Sequence, residues 1–243
     1  MKPLDISRIR EALPDTRIDY YPSLGSTMVA AEGLAFGSVV IAEEQTSGQG
    51  RHGHAWHSEP GAGIYFSIVL EPTPTLTLAL GLAAQESILE ASGIECDIRW
   101  PNDLMLNDRK TGGILVQASL GKAVAGIGIN VGHTSFPPDL LDQATSLALW
   151  AAASGMPCPG RESILISLIR AIRRFAPLDR ESVLRLFTAA SSYVSGRRVM
   201  VDEGGRVIAG VTAGLDPSGF LRVRKDDGTD TLILAGGVRA ART

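Results

Sequence analysis

The chain has 243 residues, 44% of them hydrophobic and 20% charged, with a net charge of -3 and a pI near 5.8. That length holds one large domain, or a main domain with a small one, and buries a sizeable core. The acidic balance argues against a broad nucleic-acid-binding face, and no segment reads as a signal peptide or a membrane span. The expected partners therefore include neither nucleic acid nor membrane, and the expected compartment is the cytoplasm.

Ile6, Ile9 and Leu13 have helical spacing that stops at Pro14, so residues 1–21 read as a short amphipathic lead-in. Ser26 and Thr27 open a helical run from Met28 to Leu34, and Val39–Ala42 is a compact apolar strand. Residues 43–61 form a long loop, a feature that in a compact domain is usually functional. Ile64–Leu70 is a strand, and Thr75–Ser92 is a helix ended by Gly93. Ile94–Trp100, Leu104–Leu106, Gly113–Leu120 and Ala123–Val131 read as strands, with Asn107-Asp108 and Leu120-Gly121-Lys122 as turns. Such consecutive strands point to an antiparallel or mixed sheet. Ala144–Ser154, Arg161–Phe175 and Glu181–Tyr193 are helices. From Gly196 only short strands follow (198–201, 207–213, 220–225 and 231–234), which indicates a small β-barrel or sandwich. The expected architecture is α/β in an α+β arrangement. A mixed sheet with helices on one face fills residues 1–194, and a small SH3-like β domain fills 195–243.

Chemistry concentrates in a few places. Gly48-Gln49-Gly50-Arg51-His52-Gly53-His54-Ala55-Trp56 is a glycine-spaced loop whose backbone N–H groups can converge on an anion, with Arg51 able to fork a phosphate. It is neither a Walker A loop nor a GxGxxG helix start. Trp100-Pro101-Asn102-Asp103 presents an amide and a carboxylate at a strand end; the plain alternative is an Asx turn. Lys110 lies seven residues beyond Asp103 and precedes Gly112-Gly113, which allow close approach of a ligand. Gly126-Ile127-Gly128-Ile129-Asn130 is a small-residue strand ending in an amide. Ser26-Thr27 is either an N-cap pair or two hydroxyls for a polar, uncharged ligand group. Gln45 adds an amide at the loop's mouth. Cys96 and Cys158 lie far apart without a CxxC pattern and read as reduced thiols. His52, His54 and His57 share one glycine-rich loop without a metal-ligand spacing, so no metal is assigned.

In their order and spacing, Ser26-Thr27, Gln45, the loop with Arg51 and Trp56, Arg99-Trp100-Pro101-Asn102-Asp103, Lys110 with Gly113, and Gly128-Ile129-Asn130-Val131 resemble the biotin–protein ligases. The resemblance runs over nearly the whole chain. It implies a catalytic domain like that of the class II synthetases, joining biotin to ATP through biotinyl-5′-AMP and then to a lysine of a biotin carboxyl carrier protein. ATP and biotin would be substrates, with Mg²⁺. It also implies that Lys110, Arg51 and Asp103 are catalytic. Biotin would be bound by Ser26, Thr27, Met28, Gln45, Gly48, Gln49, Gly50, Arg51, Lys110 and Gly113. Arg51, His54, Trp56, Asn102, Asp103 and Asn130 would surround the nucleotide, with Asp103 orienting either Mg²⁺ or the incoming lysine.

The family loop reads roughly Gly-Arg-Gly-Arg-x-Gly-Arg, and here Gln49 and His54 replace arginines. An imidazole is ordinarily neutral near pH 7, so the resemblance predicts weakened ATP binding that improves toward pH 6 and with His54→Arg. Only 25 residues precede Ser26, too few for the helix-turn-helix domain that some members carry, so no DNA-binding function is expected. A monomer and a homodimer are both compatible with the sequence. Two alternatives stand beside this reading: a lipoate or octanoate ligase or transferase of the same fold, and a catalytically weak biotin-binding protein.

Overall fold

The computed structural model describes residues 2–203, 206–234 and 236–240. The element order is α1 (Ile6–Ala12), β1 (Ile18–Tyr21), α2 (Thr27–Ala31), β2 (Val39–Ala42), β3 (Gly63–Leu70), α3 (Leu76–Ser92), β4 (Asp97–Arg99), β5 (Asp103–Leu106), β6 (Arg109–Ser119) and β7 (Lys122–Asn130). Three helices follow: α4 (Leu147–Ala153), α5 (Arg161–Phe175) and α6 (Arg180–Ala190). The chain then forms β8 (Ser195–Glu203), β9 (Arg206–Leu215), β10 (Leu221–Lys225), β11 (Asp230–Ile233) and β12 (Gly237–Ala240).

The first sheet has seven strands in the order β1-β2-β3-β7-β6-β5-β4. Only β1 and β2 run parallel, so the sheet is mixed. Alternation along its central strands separates the two faces. Val39, Ile41, Ile64, Phe66, Ile68, Ile127 and Ile129 join the core formed with α3 and α5. Val40 and Val69 point the other way and pack with Ala31 of α2. Helices therefore cover both faces, in place of the single face expected. The short α2 leaves much of its face open, and that face carries Gly113, Gly126 and Gly128.

Two further differences concern short elements. The lead-in contains a strand, β1, whose four residues are ordered by pairing with β2. The helix expected from Ala144 begins at Leu147, because Ala144 bridges Lys110 and the Ser146 side chain accepts from the Leu149 N–H as the N-cap.

The second sheet is antiparallel, in the order β11-β10-β9-β8-β12, and begins at Ser195. Its apolar residues Val199, Val201, Leu221, Val223, Ile233 and Val238 belong to the same buried cluster as the first sheet's core. The Trp100 indole N–H donates to the Gly219 carbonyl at 2.9 Å, fixing the turn before β5 to the β9–β10 connection. Among the described residues, no helix is long and apolar enough to cross a membrane.

Candidate active site

Ser26 occupies the N-cap position of α2, yet its side chain makes no cap bond. Its Oγ is buried and has no hydrogen-bond partner among the described residues. Thr27 is engaged instead. Its N–H and Oγ1 both donate to Gln45 Oε1, at 2.9 and 3.0 Å, and Ser67 Oγ donates to Thr27 Oγ1 at 2.8 Å. Gln45 Nε2 donates to Ser58 Oγ at 3.2 Å. Ser58 and Ser67 complete a buried polar chain that the sequence reading missed. Ser67 sits inside an apolar strand and Ser58 inside a loop, and only the fold turns Ser67 toward Thr27 and Ser58 toward Gln45. Met28 lies beside this chain, its Cγ and Sδ 2.8 Å from where a Cβ on Gly126 would stand, so position 126 has no room for a side chain.

The glycine loop is a tight hairpin. Gly50 N–H donates to the His54 carbonyl and Trp56 N–H to the Gly48 carbonyl, around one 3-10 turn at Arg51–Gly53. A Cβ on Gly48 would stand 2.7 Å from the Trp56 carbonyl. The expected anion nest is thus corrected in part: the N–H groups of Gly50, His54 and Trp56 close the hairpin itself. Gln49 is exposed and bridges Ala55, and His54 is exposed.

The hairpin returns Trp56 to the sheet. A Cβ on Gly128 would lie 2.4 Å from its ring, and one on Gly113 would lie 3.0 Å from it. These two glycines, directly paired between β6 and β7, form a floor on which the indole rests. Trp56, expected around the nucleotide, rests on this floor beside Lys110, whose Nζ is 5.3 Å from the ring centroid. The indole Nε1 is enclosed without a partner among the described residues.

Lys110 is held at both ends. Its N–H donates to the Gln143 carbonyl and its carbonyl accepts from Thr145 N–H. Its Nζ forms a 2.5 Å ion pair with Asp103 Oδ1. Arg99 takes the other oxygen, Oδ2, at 2.6 Å. Burial alone would raise the Asp103 carboxyl, but the Lys110 and Arg99 cations outweigh it and hold it below its ordinary value. Both Asp103 oxygens are thus engaged by cations.

Asn102 makes no Asx turn. Its Nδ2 donates to the Ile114 carbonyl at 2.8 Å and its Oδ1 accepts from Arg51 Nη1 at 3.1 Å. Burial pulls the Arg51 guanidinium below its ordinary value, and Asp103 partly opposes that. Asn130 donates Nδ2 to the Thr145 carbonyl, the same residue whose N–H meets Lys110. The structure therefore gathers Arg51, Asn102, Asp103, Lys110, Gly113, Trp56 and Asn130 into one neighbourhood. Thr27, Met28 and Gln45 lie further along the same sheet face, while Gln49 and His54 stay at the hairpin's exposed edge. Beside Arg51 opens a cleft of about 430 Å³, lined also by Trp100, Ile114, Arg180, Gly219 and Phe220, so that the first sheet and the β9–β10 connection both contribute to it.

The chain matches the Biotin/lipoate A/B protein ligase family over residues 27–133 and the Biotin protein ligase C terminal domain over residues 194–238. It is 30% identical to the Biotin--[acetyl-CoA-carboxylase] ligase of Mycobacterium tuberculosis, over 97% of this chain and 94% of that protein. It is 41% identical over 147 residues to the Bifunctional ligase/repressor BirA of Bacillus subtilis, covering 45% of it, so the chain spans about half the length of the first curated relatives it matches. Among solved structures, the biotin protein ligase from Aquifex aeolicus in complex with biotin and ATP superposes with a TM-score of 0.81 at 26% identity, covering 93% of this chain and 99% of that one. The chain belongs to the biotin protein ligase family.

Proposed function

We propose that this chain couples biotin to ATP and then to a lysine of a biotin carboxyl carrier protein of acetyl-CoA carboxylase or a related carboxylase. The observation that carries this reading is the Arg99–Asp103–Lys110 array, set beside a glycine floor with Arg51 and Asn102 at its edge. A buried, cation-rich pocket of this kind suits a carboxylate becoming a mixed phosphoric anhydride. In the first step a biotin carboxylate oxygen bonds to the α-phosphorus while the bond to the β-phosphate oxygen breaks and pyrophosphate leaves. In the second, the carrier amine attacks the acyl carbon, the bond to AMP breaks, and the amine gives up a proton. Lys110 and Arg51 face the charge that develops on these oxygens, which is where fixed cations lower a barrier most. Asp103 acts as a positioning residue for Lys110. Mg²⁺ enters with the triphosphate as substrate, since Asp103 is saturated by cations.

The polar chain Thr27–Gln45–Ser58–Ser67 and the unpartnered Ser26 hydroxyl favour the ureido head of biotin over the apolar dithiolane of lipoate. The cleft between the first sheet and the β9–β10 connection, with Arg51 and Arg180, is the proposed path of the nucleotide phosphates. We infer two units, 1–194 and 195–243, acting in the cytoplasm as a monomer or homodimer; the change of sheet at Ser195 and the two free thiols support the division and the compartment. The test is transfer of biotin to a purified carrier domain, read by streptavidin blot. Streptavidin signal that requires both ATP and added biotin, and that excess lipoate does not diminish, supports the reading. Signal abolished by excess lipoate, or no signal with ATP and biotin, overturns it.

A further inference from the structure

A second cluster of donors lies just beyond the loop, outside the machinery described above. His57 and Glu59 leave the arm that follows Trp56, and His133 lies just beyond the end of β7. One ring nitrogen or carboxylate oxygen from each lies within 4.8 Å of those of the other two. The His133 side is built. Its residue is 1% exposed, its ring stacks on Phe136 with centroids 5.3 Å apart and planes at 12°, and its carbonyl accepts from Ser146 Oγ at 2.6 Å.

The hydrogen bonds assign its protons. The buried Tyr65 hydroxyl donates to the Glu59 carbonyl at 3.0 Å. Its single proton is thereby spent, so at 3.1 Å it accepts from His133 Nε2–H. His133 Nδ1 then carries the lone pair, and it is enclosed with no hydrogen-bond partner among the described residues. A neutral imidazole whose far N–H is held by an oxygen acceptor is the arrangement that orients histidines on metals. The same tyrosine holds the Glu59 main-chain carbonyl, so it ties the His133 ring to the arm that carries Glu59.

We propose that His57, Glu59 and His133 form a site for a divalent transition-metal ion of the zinc class. Two imidazoles and a carboxylate are a zinc-type donor set, with a fourth position left on the exposed side for water. Magnesium, which prefers an octahedral shell of oxygens, does not match it. An ion there fastens the returning arm of the glycine hairpin to the end of β7, immediately after Trp56.

The test uses the full chain, stripped with chelator and titrated with Co²⁺ as the optical probe. One Co²⁺ per chain with visible d–d bands, displaced by one equivalent of Zn²⁺ and unaffected by millimolar Mg²⁺, is the expected result. His57 and Glu59 are exposed, so His57→Ala and Glu59→Ala keep the fold, and each should weaken Co²⁺ binding roughly tenfold or more. His54→Ala should leave it unchanged. Absence of d–d bands at micromolar Co²⁺ overturns the assignment, as does binding that survives His57→Ala intact or is lost equally in His54→Ala.

Discussion

Ser26 separates stability from function at the scale of one residue. Its hydroxyl is buried and unbonded, so Ser26→Ala removes a desolvated polar group without removing any internal bond. Thermal unfolding should show the variant to be as stable as the parent. Biotin affinity measured by calorimetry should fall by the worth of one hydrogen bond, about 0.5–1.5 kcal/mol, or roughly threefold to tenfold. Unchanged affinity would remove Ser26 from the biotin site. Asp103 behaves in the opposite way, because its two cations are part of the folded state. Its folded carboxyl titrates below the ordinary 3.8, so the stabilisation is complete above that value and is lost as pH falls through the lower folded one. In urea unfolding at pH 6, Asp103→Asn should be less stable than the parent, and the gap should narrow as the pH is taken below 3.8. A gap independent of pH would mean that the ion pairs do not carry it.

At the scale of elements, the hairpin joining β6 and β7 turns on Leu120-Gly121, both at positive φ (51° and 76°), with Leu120 fully exposed. A leucine there carries the steric cost of a left-handed backbone and buries nothing. Leu120→Asn supplies the residue that such two-residue turns favour, and should raise stability by about 0.5–1 kcal/mol in urea unfolding. A destabilised variant would contradict the turn geometry. The neighbouring Asn107-Asp108 turn, also at positive φ, already has suitable residues. Periodicity made the long elements legible: α3, α5, β3, β6 and β7 lie where alternation or a helical stripe places them. The short ones were hidden for a physical reason. β1 and β12 have four residues each and owe their order to a partner strand rather than to their own pattern. α2 was visible as a helix, but not as the cover of the opposite sheet face.

Across the whole molecule, the decisive contacts join residues far apart in sequence. Arg161, at the start of α5, donates to Glu43 at 2.8 Å, to the Gly63 carbonyl at 3.0 Å and to the Lys2 carbonyl at 2.6 Å. Glu43 in turn accepts from Leu4 N–H. This buried pair ties the N-terminal segment, the arm after β2, the start of β3 and α5 together, and no local pattern announces it. Arg161→Ala strands the Glu43 carboxylate and should cost about 3–5 kcal/mol in chemical denaturation; a loss below 1 kcal/mol would show that water reaches the pair. The candidate site divides along the same line. Its motif residues, Arg51, Asn102, Asp103, Lys110 and the glycines, were legible because glycine, proline and isolated charge stand out against apolar strands. Ser58, Ser67, Tyr65 and His133 were not, since each acquires its role only when the sheet is assembled.

Stabilisation of adenylate formation by Lys110, steered by Asp103 beside the glycine floor, is the proposed heart of the chemistry. Its most direct test is biotin-dependent exchange of labelled pyrophosphate into ATP, run on the parent chain and on Lys110→Ala. The expected result is exchange that requires biotin, is not supported by lipoate, and falls by about two to three orders of magnitude in the variant. Exchange undiminished in Lys110→Ala, or no exchange from a parent chain that binds biotin, would contradict it.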